Sequence, residues 1–282
     1  MKKIGFIDYF LDEWHANNYP AWISDPKRGG RYQVAWAWAE TERGLTTAQW
    51  CSKYGAEQAG SQQELIEKSD CIVVLSPDHA QRHEDLSRLA LQSGKPVYVD
   101  KTFATSRRSA ERMFDLAEKH GTPMYSTSAL RYADELKWPA ENRIAQKDVI
   151  YANTSGPGKF DTYSIHQIEM IVAAMGTGVK RGIAFSAGAA PVIAYEYNDG
   201  RCAFVNMTAA EGFSIALQST GGLYGRFDIV SNFWDGFIDA LLAFFDTGKP
   251  SVAREETCEA MAMIEAGLEA LQKPGEWVRI AS

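Results

Sequence analysis

The chain has 282 residues, of which 45% are hydrophobic and 23% charged, which excludes an intrinsically disordered protein and leaves two domains or one large α/β domain. Its formal net charge of −7 disfavours nucleic acid and anionic membrane surfaces as partners. The four cysteines are scattered without a CxxC pair, and neither an apolar leader nor a run of membrane-spanning length is seen, so we expect a cytoplasmic protein with reduced thiols.

Short apolar runs alternate with helical patterns through the first half of the chain. The predicted strands are residues 4–10, 32–39, 71–75, 97–99 and 123–126, and the predicted helices include 47–54, a short one opened at 61, 83–92 and 110–117. This alternation predicts a parallel sheet with right-handed crossovers. We therefore expect a Rossmann-like, doubly wound α/β domain over residues 1–128.

Strand-like segments follow one another in the second half without helices between them. They are residues 149–153, 182–186, 192–197, 202–207, 213–218 and 223–229, with helical patterns at 166–175, 234–245 and 261–271. Turn signals at 198–200 and 220–222 favour hairpins. We expect an α+β domain over residues 129–282 with a mainly antiparallel sheet, whose uncovered face would pair with a second subunit in a homodimer or homotetramer.

The most informative stretch runs from residue 71 to residue 131. Lys101 comes directly after a predicted parallel strand, at the sheet edge where open α/β folds bind ligands. The same stretch contains, in order, Ser76-Pro77, His83 opening a helix, Gly94-Lys95 and Asp100-Lys101-Thr102, and His166 follows within Ser164-Ile165-His166-Gln167-Ile168-Glu169. With these motifs, the chain resembles the NAD(P)-dependent sugar oxidoreductases typified by glucose-fructose oxidoreductase and inositol 2-dehydrogenase, over nearly its whole length.

The resemblance implies an enzyme that transfers a hydride between NAD or NADP and a secondary alcohol of a sugar or polyol. It also implies that Lys101 and His166 face one substrate hydroxyl across the cleft between the domains. Histidine has the pKa best suited to removing the hydroxyl proton near neutrality. A lysine ammonium would stabilise the developing charge on the oxygen.

Further site residues follow from their positions in the pattern. The candidate cofactor residues are Asp8, Phe10, Glu40, Ser76, Pro77, Asp78, His83 and Asp100. The candidate substrate residues are Lys101 and His166 together with His15, Arg131, Trp138 and Thr162. Family members often carry an aspartate four residues before the histidine, where Thr162 stands here, so Asp161 and Tyr163 join the catalytic candidates.

The first turn departs from the glycine-rich fingerprint of dinucleotide folds. The interval from Asp8 to His15 contains no glycine, and Asp12 and Glu13 would place two negative charges where two phosphates bind, although both are also ordinary residues at the start of a helix. Two hypotheses follow. In the first, NAD(P) binds through an unconventional loop. In the second, the scaffold has lost the dinucleotide and serves either a redox-independent carbohydrate lyase, isomerase or hydrolase-like enzyme or a non-catalytic sugar-binding relative.

A metal site is not predicted. His79 and His83 stand at i and i+4, but no third ligand accompanies them at a diagnostic spacing.

Overall fold

A computed structural model gives the fold and describes residues 1–186, 188–209 and 211–280. The chain forms two compact units. The first contains Met1–Thr127 and Ile238–Arg254, and the second contains Ser128–Phe237 and the described residues from Glu255 onward. No helix within the described ranges is both long and apolar enough to cross a bilayer.

The first unit is built on a six-stranded sheet. Its strands are β1 (Lys2–Asp8), β2 (Tyr32–Ala39), β3 (Glu57–Gln58), β4 (Cys71–Val74), β5 (Val97–Val99) and β6 (Met124–Tyr125). Every adjacent pair is parallel, and the order β3-β2-β1-β4-β5-β6 is that of a doubly wound Rossmann fold, so the predicted architecture is confirmed. Its crossover helices are α1 (Trp14–Ile23), α2 (Thr47–Tyr54), α3 (Gln62–Lys68), α4 (His83–Leu91) and α5 (Arg107–Lys119).

Local sequence explains how closely these helices pack on the sheet. Strand β4 is buried at all four positions, as expected for a central parallel strand that is covered on both faces. Gly5 in β1 lets α3 approach, since a Cβ there would lie 2.5 Å from Leu65 Cδ2 and from Ser69 Oγ. Helix α2 begins with a capping box between Thr46 and Gln49.

Helix α8 (Phe233–Thr247) is divided between the two units: its residues up to Phe237 belong to the second unit and those from Ile238 to the first. From residue 238 onward it belongs to the first unit, where the Phe244 ring lies 5.2 Å from that of Tyr125 and the Tyr32 hydroxyl donates to Asp246 Oδ1 at 2.7 Å. The sequence had placed residues 238–254 in a continuous second domain. The amphipathic pattern of α8 revealed a buried face without showing which sheet covers it.

The second unit contains a seven-stranded sheet. Its strands are β7 (Val149–Gly156), β8 (Val179–Ser186), β9 (Val192–Tyr197), β10 (Cys202–Met207), β11 (Ser214–Ser219), β12 (Tyr224–Asp228) and β13 (Trp277–Arg279). Their order is β12-β11-β7-β10-β9-β8-β13, and each described pair is antiparallel except β7 with β10, which confirms the predicted sheet type. The helices of this unit are α6 (Trp138–Glu141), α7 (Phe160–Met175) and α9 (Arg254–Gln272). The first residue of α9, Arg254, belongs to the first unit.

Helix α7 is fixed to the sheet by polar as well as apolar contacts. The buried Gln167 side chain donates to Asn206 O at 3.2 Å and accepts from Asn206 N at 3.3 Å. Because Gln167 points into the core, the neighbouring His166 points away from it and is only half-buried.

Candidate active site

The carboxyl ends of β1 and β5 bring a buried group of ionisable side chains together in the first unit. Asp8 is the last residue of β1, Asp100 directly follows β5, and both are 1% exposed. His15 in α1 reaches this edge, with its Nδ1 2.6 Å from Asp100 Oδ2. The Tyr98 hydroxyl donates to the other Asp100 oxygen at 3.1 Å. The structure thus unites three residues that the sequence assigned separately to cofactor and substrate.

The charge on Asp100 determines how its hydrogen bonds are directed. Burial by itself raises the pKa of Asp100, but the charge and hydrogen bond of His15, with smaller effects from Lys101 and His83, lower it to about 2. Asp100 is therefore a carboxylate at neutral pH and only accepts hydrogen bonds. The hydrogen of the short contact must lie on Nδ1 of His15, and Asp100 fixes the orientation of that ring.

Asp8 behaves in the opposite way. Its Oδ1 accepts from Tyr9 N at 2.6 Å, whereas its buried Oδ2 has no hydrogen-bond partner among the described atoms. Burial, followed by the charges of Glu13 and Asp100, raises the pKa of Asp8 well above its usual value. Asp8 therefore takes up a proton more readily than an ordinary aspartate, and its unpaired oxygen can carry that hydrogen.

Glu13 also lies in this group, although, like Tyr98, it was not among the candidate site residues. It is the N-cap of α1, and its carboxylate accepts hydrogen bonds from the backbone amides of His15, at 2.7 Å, and Ala16. Burial raises the pKa of Glu13 to about 7, against the attraction of His15. Asp12, by contrast, turns to Leu45 N and Asn17 Nδ2, each at 3.0 Å, so only one of the two predicted charges lies at the helix amides.

These contacts decide how well a dinucleotide fits the first turn. In this fold the pyrophosphate binds to the first amides of the helix that follows β1, and glycines keep side chains out of its way. Here Glu13 occupies those amides, and Asp8 and Phe10 add side chains in the preceding turn. The turn as it is arranged in this structure does not accommodate a pyrophosphate.

Lys101 lies at the same sheet edge. It is 8% exposed, its Nζ donates to Pro77 O at 3.4 Å, and its charge helps to lower the pKa of Asp100. The peptide bond between Lys101 and Thr102 is cis. Ser76, in the turn after β4, is buried and has a φ of 82°. Lys101, Ser76, Pro77 and Asp100 therefore share the edge to which the sequence assigned them.

His83 is buried completely beneath this edge. Its Nδ1 lies 3.1 Å from Phe103 O, and its Nε2 has no partner among the described atoms. Burial lowers the pKa of His83, so the ring is neutral at pH 7. Its contact to the backbone after Lys101 indicates a role in shaping the edge from below.

The remaining cofactor candidates lie on a more exposed part of the first unit. Glu40 accepts hydrogen bonds from Arg82, and Asp78 is exposed. The Phe10 ring contacts that of His79, with 5.7 Å between centroids. His79 therefore sits in an aromatic contact, and the described residues hold no group of three His, Cys, Asp or Glu side chains that could bind a metal.

His166 lies in the second turn of α7, in the second unit. Its Nδ1 is 2.7 Å from Ser128 Oγ, and its ring packs edge-on against those of Phe213 and Tyr163 at 5.4 and 5.6 Å. Ser128 is buried and also accepts from Leu130 N at 3.3 Å, so its oxygen is held in place. Ser128 therefore orients the imidazole ring through Nδ1.

The other candidates near His166 are less buried. Asp161 is exposed and accepts from Thr162 Oγ1 at 3.3 Å, and Tyr163 is 41% exposed. All three lie in the first turn of α7, which places them one helical turn before His166.

Two predicted substrate residues have partners within the second unit. Arg131 forms ion pairs with Glu169, at 3.2 Å, and with Glu256. The Trp138 ring packs on Phe227 with 5.9 Å between centroids. In this structure their side chains therefore serve the packing of the unit.

The chain was also compared with known proteins. Residues 17–127 match the model of an oxidoreductase family with an NAD-binding Rossmann fold, and the match begins beyond the first turn. An inositol 2-dehydrogenase of Cereibacter sphaeroides is 30% identical over 130 residues, which cover 42% of this chain and 38% of that enzyme.

Solved structures share the fold over almost their whole length. Myo-inositol 2-dehydrogenase from Lactobacillus plantarum superposes with a TM-score of 0.79 at 16% identity, covering 99% of both chains. A probable dehydrogenase from Thermotoga maritima has a TM-score of 0.78 at 16% identity, again covering 99% of both chains. At this identity the likeness shows the fold.

Proposed function

We propose that the chain is a dehydrogenase that transfers a hydride between NAD or NADP and a secondary alcohol of a sugar or polyol, because residues 17–127 match an oxidoreductase family with an NAD-binding Rossmann fold. The similarity to inositol 2-dehydrogenase supports a polyhydroxylated substrate. The observation that carries the proposal is the buried position of Lys101 directly after β5, at the ligand-binding edge of the sheet.

The proposed chemistry of this chain's residues concerns the substrate hydroxyl. Oxidising an alcohol requires removal of the hydroxyl proton, and His166, whose Nδ1 lies 2.7 Å from Ser128 Oγ, is the proposed acceptor. Lys101, at the sheet edge of the first unit, would donate a hydrogen bond to a substrate oxygen and stabilise its developing charge. A bound nicotinamide would supply the hydride acceptor. His15 and Asp100 bind neighbouring substrate or ribose hydroxyls.

Replacing Lys101 tests the proposal. Lys101→Ala removes the cation that stabilises the substrate oxygen, and we expect kcat to fall by about 10²–10³-fold. The midpoint of thermal unfolding should change much less than kcat, since the hydrogen bond described for Lys101, to Pro77 O, is long at 3.4 Å. Steady-state reduction of NAD or NADP with a panel of polyols measures the effect. The exposed Lys119→Ala serves as control, and normal turnover by Lys101→Ala contradicts the assigned role.

A second candidate function is favoured by the Glu13 carboxylate on the α1 amides. The scaffold would then act without a dinucleotide, as a carbohydrate lyase, isomerase or hydrolase-like enzyme that uses the same lysine and histidine for proton transfer. A product that forms from a sugar pool in the absence of NAD(P) would identify this function. A non-catalytic sugar-binding relative would leave the pool unchanged.

We also propose that the chain forms a homodimer or homotetramer through the second sheet. Along β10, half-buried Cys202, Phe204 and Asn206 alternate with buried residues, so one face of the strand is not fully covered within the unit. The rings of Tyr151 and Phe204 pair on adjacent strands with 5.8 Å between centroids. Sedimentation velocity tests this proposal, and a monomer at all concentrations contradicts it.

We further propose that the protein works in the cytoplasm. No disulfide joins the cysteines, all of which lie within the described residues, and burial raises the pKa of the Cys51 and Cys71 thiols to about 11 and about 12. Unreactive, reduced thiols suit a reducing compartment.

A further inference from the structure

We propose that the Glu13 carboxylate is a resident occupant of an anion site at the start of α1, and that a dinucleotide pyrophosphate binds there only after this carboxylate has left the helix amides. The inference rests on the proposed function, because it takes the dinucleotide as the ligand. It makes Glu13 the residue that sets cofactor affinity.

The first support is that the site is already filled by an anion of the chain itself. The amides of His15 and Ala16, at the second and third positions of α1, both donate to Glu13. These are the donors that a phosphate would use, and the positive end of the helix dipole favours either anion. Glu13 therefore competes with a pyrophosphate for the same hydrogen bonds.

A second, independent observation points to a ligand in the same turn. Asp8 is 1% exposed, yet its Oδ2 has no hydrogen-bond partner among the described atoms. Oδ1 accepts from Tyr9 N, so Oδ2 is the oxygen left for a ligand, and the raised pKa of Asp8 favours a hydrogen on it. A phosphate oxygen would accept that hydrogen, whereas neither oxygen of Glu13 pairs with Asp8 Oδ2 in this structure.

The charges around Glu13 indicate how the site opens. The titratable groups that face it are Asp8 from β1, His15 and Tyr19 from α1, and Asp100 after β5. Burial raises the pKa of Glu13 to about 7. Protonation below that pH removes its charge and weakens its hold on the amides, so the dinucleotide should bind more tightly in mild acid.

Direct titration with NADH tests the inference. Energy transfer from tryptophan to NADH would be measured for the wild type and for Glu13→Gly, a substitution that helix N-caps tolerate. We expect Glu13→Gly to bind NADH at least tenfold more tightly and to bind adenosine, which has no phosphate, with unchanged affinity. Glu13→Gln keeps the size of the side chain while removing its charge, and should bind NADH with intermediate affinity.

Asp12→Asn is the matched control. It removes the same unit of charge one residue away, from a side chain that bonds Leu45 and Asn17 and leaves the α1 amides untouched. Its NADH affinity should stay within about twofold of the wild type. Thermal unfolding of each variant would establish that it is folded.

The pH dependence of binding provides a second readout. If only the protonated Glu13 vacates the amides, the Kd for NADH should fall about tenfold between pH 8 and pH 6, and this slope should be absent in Glu13→Gly. Equal NADH affinity of wild type and folded Glu13→Gly overturns the inference, whatever its absolute value. The proposed function fails separately, if the wild type shows no cofactor-dependent oxidation of any polyol.

Discussion

Asp100 and Glu13 show how neighbouring carboxyl groups come to very different pKa values. His15 donates to Asp100 at 2.6 Å and keeps it ionised, whereas desolvation raises the pKa of the half-buried Glu13 to about 7, although backbone amides donate to it. A site in which one carboxyl group stays ionised and another can take up a proton near neutrality can accept hydrogen bonds from the hydroxyls of a polyol and donate to them. Composition alone does not reveal this division, since it depends on which partner each side chain reaches.

The raised pKa of Glu13 predicts how the stability of the fold depends on pH. The unfolded glutamate titrates near 4.3 and the folded one at about 7, so the native state binds the extra proton between these values. The contribution of Glu13 to stability is therefore greatest below pH 4 and decreases as the pH rises to 7.

Urea denaturation of wild type and Glu13→Gln between pH 5 and pH 8 measures this contribution. The wild type should lose stability relative to Glu13→Gln as the pH rises. The comparison separates Glu13 from His83, whose lowered pKa acts in the opposite direction in both proteins. Parallel pH profiles for the two proteins would show that Glu13 titrates normally.

The packing partner of helix α8 could not be predicted from the sequence of the helix itself. Its stripe of apolar residues is visible in the sequence, but the sheet that it covers is decided by partners far away in the chain. The rings of Tyr32 in β2 and Tyr125 in β6 pack at a tilt against those of Phe245 and Phe244, and Arg28 Nε donates to Asp239 at 2.8 Å. These contacts place residues 238–254 in the first unit.

Removing one of these rings tests the assignment of α8. Phe244 is 1% exposed, and Phe244→Ala should lower the free energy of unfolding by about 3–5 kcal/mol, because it leaves a cavity against Tyr125. Val230→Ala, at a position that is 85% exposed, should cost less than about 0.5 kcal/mol. Urea denaturation measures both, and equal effects of the two substitutions would contradict the packing of α8 described here.

For the whole molecule, sequence patterns were sufficient to predict both sheets. The alternation of strands and helices predicted the parallel sheet, and the bounds of β2, β5, β9 and β10 agree with the predicted ranges. The parallel pairing of β7 with β10 was not predicted, because the strands are distant in sequence and their side chains alternate as they would in an antiparallel pair.

The candidate site could be predicted only in part. The position of Lys101 and Asp100 after β5 follows from the rule for parallel sheets. The contacts of Glu13 with the α1 amides and of Ser128 with His166 depend on side-chain directions, which single-residue motifs do not determine. The only sequence signals were the absence of glycine between Asp8 and His15 and the hydroxyl-rich run at 126–128.

Hydride transfer is the central claim, and an isotopic label tests it most directly. The wild-type chain would be incubated with NAD or NADP and with polyols, myo-inositol first, that carry deuterium on the secondary alcohol carbons. We expect the reduced cofactor to gain one deuterium, and Lys101→Ala to transfer almost none. Conversion of the polyol without deuterium in the cofactor, or no reduction of either cofactor with any polyol, would contradict the account.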